Sequence, residues 1–194
     1  MINLKFFSDY DKEIAAVFAL FTLVFLMLMA FNNDFFVWAF ERHQNILSWY
    51  IRPLFIIPFC YFAYKRRWAG ISATIFLLLT SMLWFSRPET VSEQVNQFLQ
   101  IEKDYLIGQW NISKILIGLL VPFSFIALGA AFWKRNLLFG LSVIVLMAVL
   151  KIMWSVAFGG ESGSAIILPA VFGLVICVVL IYFGFKRAEK KKLK

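Results

Sequence analysis

The sequence has few of the residues that build metal centres and disulfide frameworks. It contains one histidine, His43, and two cysteines, Cys60 and Cys177, each inside an apolar run. A single histidine without a CxxC pair is too little for a usual zinc site, and two isolated cysteines do not make a disulfide framework. We therefore expect two buried free thiols, no metal and no cofactor.

Polar sequence is scarce as well. Charged residues make up 15% of the chain, 62% is hydrophobic, and the mean hydropathy is +0.81. A soluble domain is typically about 45–50% apolar. The only long polar stretch covers residues 86–109. Because no room remains for a soluble domain of ordinary size, we expect residues 1–194 to form a single polytopic membrane domain.

The apolar residues fall into six blocks, each near the roughly 20 residues that cross a bilayer as a helix. This pattern predicts an all-α membrane protein with a six-helix transmembrane bundle. Pro53 and Pro58 predict a kink in the second span. The predicted spans cover residues 14–31, 46–64, 68–85, 111–133, 137–158 and 165–185.

An amphipathic helix is predicted between spans three and four. Ser86 and Glu89 have the spacing of a capping box, which predicts that this helix begins there. One helical face then carries Val91, Val95, Phe98, Leu99 and finally Glu102, so this face is apolar until its last position. Such a helix lies on the membrane surface or caps the bundle.

The distribution of positive charge predicts the orientation. Thirteen of the 19 Lys and Arg residues lie on the side of the N-terminus, and seven of the 11 acids lie on the other side. The positive-inside rule then places the N- and C-termini in the cytoplasm. Because the basic residues form short clusters between apolar blocks, we expect no nucleic-acid partner. We predict a multi-pass protein of a cell membrane, specifically a bacterial inner membrane, in contact with membrane lipids.

Three cations lie inside the outer halves of the predicted spans: Arg52, Lys114 and Lys151. Lys151 is the deepest, about 10 Å below Phe158 by the helical rise. A charge at such a depth needs a partner, water or a route to the interface. Snorkelling, in which the long side chain reaches the headgroups, explains Lys114 well and Lys151 least well.

The second span, continued backward as one helix, would carry a polar stripe. Glu41, Asn45, Ser48 and Arg52 are spaced by four, three and four residues, which places them on one face. The nearest candidate counter-ions for the three cations are Glu41 and Glu161. We expect Arg42, His43 and Arg87 to lie at the rim. The candidate binding residues are therefore Glu41, Arg42, His43, Arg52, Arg87, Lys114, Lys151 and Glu161.

The functional hypothesis that follows is an outward-facing electropositive pocket that binds or transports a small anionic solute or a lipid headgroup. A membrane-embedded enzyme acting at the outer face is one alternative, with His43 as its general base. An accessory or assembly protein without a ligand is another. No HExxH, GxSxG or Walker sequence is present, so we assign no catalytic residue and favour a protein that is not an enzyme.

The first span contains Ala15 and Ala19, a pair of small residues one helical turn apart. Together with six spans and two cytoplasmic termini, this pair resembles the substrate-binding subunits of energy-coupling-factor vitamin transporters. Those subunits carry an alanine motif in the first span, through which they dock their partner. The resemblance implies a partner membrane subunit, with a homo-oligomer as the alternative, and it assigns no site residues.

Overall fold

The computed structural model describes residues 9–192, and all regular structure in this part of the chain is helical. Three short 3₁₀ segments continue or join the α-helices, at Arg52–Phe55, Ser81–Leu83 and Ser164–Ile166. The α-helices are α1 (Asp11–Phe31), α2 (Asn33–His43), α3 (Leu47–Ile51), α4 (Ile56–Tyr64), α5 (Trp68–Thr80), α6 (Glu93–Ile107), α7 (Ile112–Trp133), α8 (Leu137–Gly163) and α9 (Ile167–Lys192).

Three helical stretches in the described residues are long and apolar enough to cross a membrane: Asp11–Phe31, Ile112–Trp133 and Leu137–Ala188. The bent pair Asn33–His43 and Leu47–Tyr64 makes a fourth if it is counted as one span, and Trp68–Leu83 is a shorter apolar helix. An all-helical chain with helices of this length and composition fits a membrane-embedded protein.

The stretch Leu137–Ala188 is a hairpin of two antiparallel helices. As one straight helix its 52 residues would be about 78 Å long. Yet the ring of Phe185, near its end, lies 4.9 Å from that of Phe132, which precedes its start. The chain reverses at Gly160, which has φ 53° and ψ −130°, a conformation that favours glycine.

One end of the bundle gathers three basic segments, residues 64–68, 133–136 and 185–187, and we call it the basic end. The rings of Trp68 and Trp133 are 4.8 Å apart. Helix α1 begins at the same end, where the Asp11 carboxylate accepts hydrogen bonds from the backbone N–H groups of Trp68 and Ala69, at 2.8 and 3.3 Å. These bonds satisfy N–H groups that the first turn of α5 leaves free.

The second predicted span does not continue backward as one helix. The axes of Asn33–His43 and Leu47–Tyr64 differ by 84°, so the predicted stripe through Glu41, Asn45, Ser48 and Arg52 is wrong. The chain tightens into a 3₁₀ turn over Arg52–Phe55, where Pro53 was expected to distort it.

Both cysteines are buried free thiols, as expected. Cys177 of α9 donates its thiol proton to the carbonyl oxygen of Pro53 at 3.2 Å. A Cβ on Gly173 would overlap the Pro53 ring, so this glycine allows α9 to lie directly against the tightened turn. The distorted part of the second segment is therefore held in place by direct packing against α9.

The amphipathic helix is present as α6, but it begins later than the sequence predicted. Residues 86–92 are not helical, and the N-cap is Ser92, whose side chain accepts the N–H of Val95 at 3.3 Å. The predicted capping box at Ser86 and Glu89 is therefore wrong. The predicted apolar face of α6 is buried against the end of the bundle opposite the basic end, through Val95, Phe98 and Leu99.

Candidate functional site

The bend between α2 and α3 brings His43 back over the helix that follows it. Its side chain is buried, with 6% of its surface exposed. Its Nδ1 lies 2.9 Å from Ser48 Oγ, and its Nε2 lies 3.1 Å from a guanidinium nitrogen of Arg52. Trp49 closes the bend by donating from its indole nitrogen to the His43 carbonyl oxygen at 3.0 Å. The sequence prediction of His43 as a rim residue is therefore wrong.

The hydrogen-bond partners of His43 determine which ring nitrogen carries the proton. Arg52 can only donate, so Nε2 must accept and be unprotonated. The remaining proton is then on Nδ1 and is donated to Ser48, whose hydroxyl in turn donates to the Asn45 carbonyl oxygen at 2.8 Å. In this arrangement His43 is neutral, and both of its ring nitrogens are engaged. A free general base is not available at this position.

Lys151 is paired with an acid that the sequence analysis did not assign to it. Its Nζ donates to Glu102 Oε1 of α6 at 2.8 Å. The expected counter-ions Glu41 and Glu161 make no such contact. The Lys151 side chain is 44% exposed and that of Glu102 is 18% exposed, so the pair lies at the margin of the bundle. The Lys151 ammonium also lies over the rings of Phe98 and Trp154, at 5.5 and 4.9 Å.

Two of the three deep cations lie within electrostatic range of one acid. Lys151 contacts Glu102 directly, and Arg52, which contacts His43, interacts with Glu102 through its charge alone. His43 lies within electrostatic range of both cations. We call His43, Arg52, Glu102 and Lys151 the cation cluster. With neutral His43, its formal charges sum to +1. The four residues come from three separate segments of the chain, so the cluster forms only when α6 packs against α8 and the α2–α3 bend.

Four buried polar atoms have no hydrogen-bond partner among the described residues, and one of them is an acceptor, Gln44 Oε1, in the residue after His43. The other three can donate and lie on α6 and α8. They are the Tyr105 hydroxyl of α6 and, on α8, the indole nitrogen of Trp154 and the hydroxyl of Ser155. The rings of Tyr105 and Trp154 are in contact, with centroids 5.3 Å apart. Buried polar groups are nearly always satisfied, so this concentration of free donors at one place calls for an explanation.

Lys114 does not join the cluster. Its Nζ donates to the Gly108 carbonyl oxygen at 2.8 Å and lies over the rings of Tyr105 and Trp110, at 4.8 and 4.7 Å. These contacts tie the start of α7 to the end of α6. The geometry is that of an anchored lysine rather than of a group facing a common pocket.

The remaining predicted site residues lie apart from the cluster. Arg87 and Glu41 form an exposed ion pair at 3.1 Å. Arg42 donates to the Leu83 carbonyl oxygen at 2.7 Å and stacks over Trp38. Glu161 is exposed and contributes its backbone oxygen to the Gln94 side chain at 2.9 Å. These residues fasten the segments at this end of the bundle to one another.

The concave surface next to the cluster is not electropositive. An open groove between α6 and the Gly160 turn is lined by Gln97, Gln100, Ile101, Gly159, Glu161 and Ser162, none of which is a cation. In the described part of the chain, no three His, Cys, Asp or Glu side chains are grouped so that they could hold a metal ion.

Glu102 is the site residue that sequence reasoning missed. The sequence nevertheless contains a signal for it, because Glu102 is the last position of an otherwise apolar face of α6. An acid on the buried face of a helix requires a cation on the surface that it covers. Applied here, this rule would have pointed from Glu102 to a deep cation, and Lys151 is the deepest in the sequence.

Comparisons with known proteins do not place this chain in a family. No family model matches it, and neither a curated protein nor a solved structure matches it. The resemblance to the energy-coupling-factor subunits therefore remains one of predicted architecture.

Proposed function

We propose that the chain crosses the membrane six times, with both termini in the cytoplasm. The hairpin at Gly160 supports this count, because it divides the longest apolar stretch into two helices. The charge distribution supports the orientation. The described cations at the basic end are Lys12, Lys65, Arg66, Arg67, Lys134, Arg135, Lys186, Arg187 and Lys190, whereas the opposite end has Arg42, Arg52, Arg87, Lys103, Lys114 and Lys151.

We further propose that the protein binds an anionic group, from a solute or a lipid headgroup, at the cation cluster. The observation that carries this proposal is that Glu102, the ion-pair partner of Lys151, is also the acid within electrostatic range of Arg52 from a different segment. One carboxylate for two cations leaves an uncompensated positive charge. An anion that contacts Lys151 and Arg52 would balance that charge.

The surroundings of the cluster fit an anion better than a cation. The unpartnered Tyr105 hydroxyl, Trp154 indole and Ser155 hydroxyl are all able to donate hydrogen bonds, and the indole can only donate. Lys151 is 44% exposed, so an anion arriving from the interface reaches it without unfolding α6. Glu102 would then act as a built-in competitor that occupies the cations when no anion is bound.

The experiment measures anion-induced stabilisation of the purified protein in a zwitterionic detergent. Inorganic phosphate and phosphatidylglycerol are titrated separately, and the shift in Tm gives an apparent affinity for each. We expect Lys151→Gln to weaken the binding of the effective anion at least tenfold. Arg52→Gln is expected to do the same, but it also removes a buried donor and lowers Tm. Stabilisation by phosphate indicates a solute, and stabilisation by phosphatidylglycerol alone indicates a headgroup.

The matched control is Lys114→Met. This change removes a buried cation from the same half of the bundle that is held by Gly108 and by the rings of Tyr105 and Trp110 and does not belong to the cation cluster. We expect it to lower Tm and to leave the apparent affinity for the anion unchanged. Equal losses of affinity in Lys114→Met and Lys151→Gln would mean that only net charge matters, and the proposed site would be rejected.

A second candidate is an accessory membrane protein without a ligand. The Lys151–Glu102 ion pair favours it, since a paired lysine needs no further anion. It predicts that neither phosphate nor phosphatidylglycerol shifts the Tm of the wild-type protein through the cluster, and that Lys151→Gln changes stability alone. No observation of comparable weight favours an enzyme, because both nitrogens of His43 are engaged.

A further inference from the structure

The basic end contains two helix-ending turns with the same hydrogen-bond pattern. After α4, the N–H of Arg67 reaches the Phe62 carbonyl oxygen and that of Arg66 reaches Ala63, both at 3.0 Å. After α7, Asn136 donates to Ala131 at 2.8 Å and Arg135 to Phe132 at 3.0 Å. These are Schellman turns, in which the residue just beyond the helix adopts the left-handed conformation.

An arginine occupies the left-handed position in both turns. Arg66 has φ 55° and Arg135 has φ 59°, and within the described residues no other non-glycine residue has a positive φ. Glycine is the usual residue at this position, because a side chain there is strained. Two separate turns thus carry the same long cationic side chain against the preference of the backbone. Strain of this kind points to a use for the side chain.

The two turns adjoin each other. The Arg135 guanidinium lies 5.0 Å from the ring of Tyr64, the last residue of α4, and Trp68 lies against Trp133. Tyr64 also contacts Phe185, which precedes Lys186 and Arg187. Arg66 and Arg135 are therefore carried by neighbouring turns on one surface of the bundle.

The cations of these turns are not neutralised by the protein. Lys65, Arg66, Lys134 and Arg135 are exposed, and none of them has a carboxylate within ion-pair distance in the part of the chain that the structure describes. The acid paired at this end among the described residues, Asp11, is engaged by Arg67 and by the N-terminus of α5. Trp68, half exposed beside these turns, has the character of an interfacial residue.

We propose that Arg66 and Arg135 together bind the phosphate of an anionic phospholipid in the leaflet at the basic end. A guanidinium that stacks on an aromatic ring keeps its in-plane N–H groups free for bidentate contact with phosphate oxygens. Arg135 is such a guanidinium, through its contact with Tyr64, and both arginines are exposed on left-handed turns at the basic end. This site shares no residue with the cation cluster and does not depend on the function proposed there.

The test compares lipid binding by the wild-type protein and the double variant Arg66→Gly/Arg135→Gly. Both proteins are held in phosphatidylcholine micelles and titrated with phosphatidylglycerol, with Tm as the readout. Each arginine near an anionic surface contributes about fivefold in affinity, so the double variant should bind about 25-fold more weakly. Its Tm in phosphatidylcholine alone should be unchanged or higher, because glycine adopts the turn conformation without strain.

Lys12→Gln/Lys190→Gln is the matched control, since it removes two exposed cations of the same end that lie outside the turns. These lysines act through surface charge alone, whereas the arginines would also contact the phosphate directly, so we expect the control to lose clearly less affinity for phosphatidylglycerol than the glycine variant. A control that loses as much affinity as the glycine variant, or a glycine variant that keeps wild-type affinity, would overturn the proposal. The proposal would also be overturned if inorganic phosphate raised the Tm as phosphatidylglycerol does and lost this effect in the glycine variant.

A second variant separates the loss of the two charges from a folding defect. Asparagine tolerates the left-handed conformation better than other residues with a side chain, so Arg66→Asn/Arg135→Asn removes the charges while keeping both turns. If the glycine variant is unstable in phosphatidylcholine, the asparagine variant decides the question. The same loss of about 25-fold supports the proposal, and wild-type affinity rejects it.

Discussion

Replacing Glu102 by glutamine should strengthen anion binding while it weakens the fold. The substitution keeps the size of the side chain and its ability to hydrogen-bond, but it removes the only negative charge of the cation cluster. Lys151 then loses its ion-pair partner, and Arg52 loses the attraction of the same carboxylate. If Glu102 competes with an external anion, removing its charge makes both cations available.

The distances give the size of both effects. At 2.8 Å the Lys151–Glu102 attraction is about 1.5 kcal/mol in bulk water and about 6 kcal/mol at an effective dielectric constant of about 20. Because Lys151 is 44% exposed, the lower figure is the better guide, and we expect a loss of about 1–3 kcal/mol in unfolding free energy. For an anion about 5 Å from the removed charge, the relieved repulsion is about 1–2 kcal/mol, or roughly tenfold in affinity.

The assay is the same titration of Tm with phosphate and phosphatidylglycerol, carried out on Glu102→Gln and on Glu93→Gln as control. Glu93 belongs to the first turn of the same helix and lies outside the cation cluster. We expect a lower starting Tm and a roughly tenfold tighter apparent Kd for Glu102→Gln, with little change in affinity for Glu93→Gln. A Glu102→Gln protein that loses stability without any gain in anion affinity would refute the role of Glu102 as a competitor.

Two further predictions concern the bend and the hairpin. His43→Phe leaves the half-buried Arg52 guanidinium without its acceptor and should lower the unfolding free energy by about 1–3 kcal/mol. His43→Gln keeps an acceptor and should lose less, and thermal unfolding in detergent measures both. In the hairpin, Gly163→Ala should be more damaging than Gly160→Ala in the same assay. A Cβ at Gly163 overlaps the backbone oxygen of Ser155, while a Cβ at Gly160 meets open space and costs only the strain of a positive φ, about 1–3 kcal/mol. Equal losses at the two glycines would contradict the close backbone approach at Gly163.

The long helices were predictable because a run of about 20 apolar residues is visible directly in the sequence. The predicted blocks 14–31, 111–133 and 137–158 coincide with α1, α7 and the straight part of α8. The break at residues 44–46 was not predictable from spacing, because the stripe from Glu41 to Arg52 fits an unbroken helix equally well. What decides against that helix is tertiary: His43 is satisfied by Ser48 and Arg52 only when the chain folds back.

The candidate site was predicted in part. The depth of Lys151 and Arg52 was visible in the sequence, and the structure brings these two together near Glu102. The sequence does not show that Lys114 lies apart from the cation cluster. Its partner is the backbone carbonyl oxygen of Gly108, and because every residue has such an oxygen, no sequence pattern identifies this one. Pairing across helices depends on packing angles that a hydropathy pattern does not contain, and for this reason Glu41 and Glu161 were assigned in place of Glu102.

The ion pair between α6 and α8 has a consequence for biogenesis. Glu102 leaves the ribosome 49 residues before Lys151, so its partner does not yet exist when α6 is made. Until α8 is inserted, the apolar face of α6 can pack only against earlier parts of the chain such as Trp49, and its acid is best hydrated at the membrane–water interface. Docking of α6 is therefore a late step of assembly, and a chain truncated before residue 151 should leave this helix accessible to added protease.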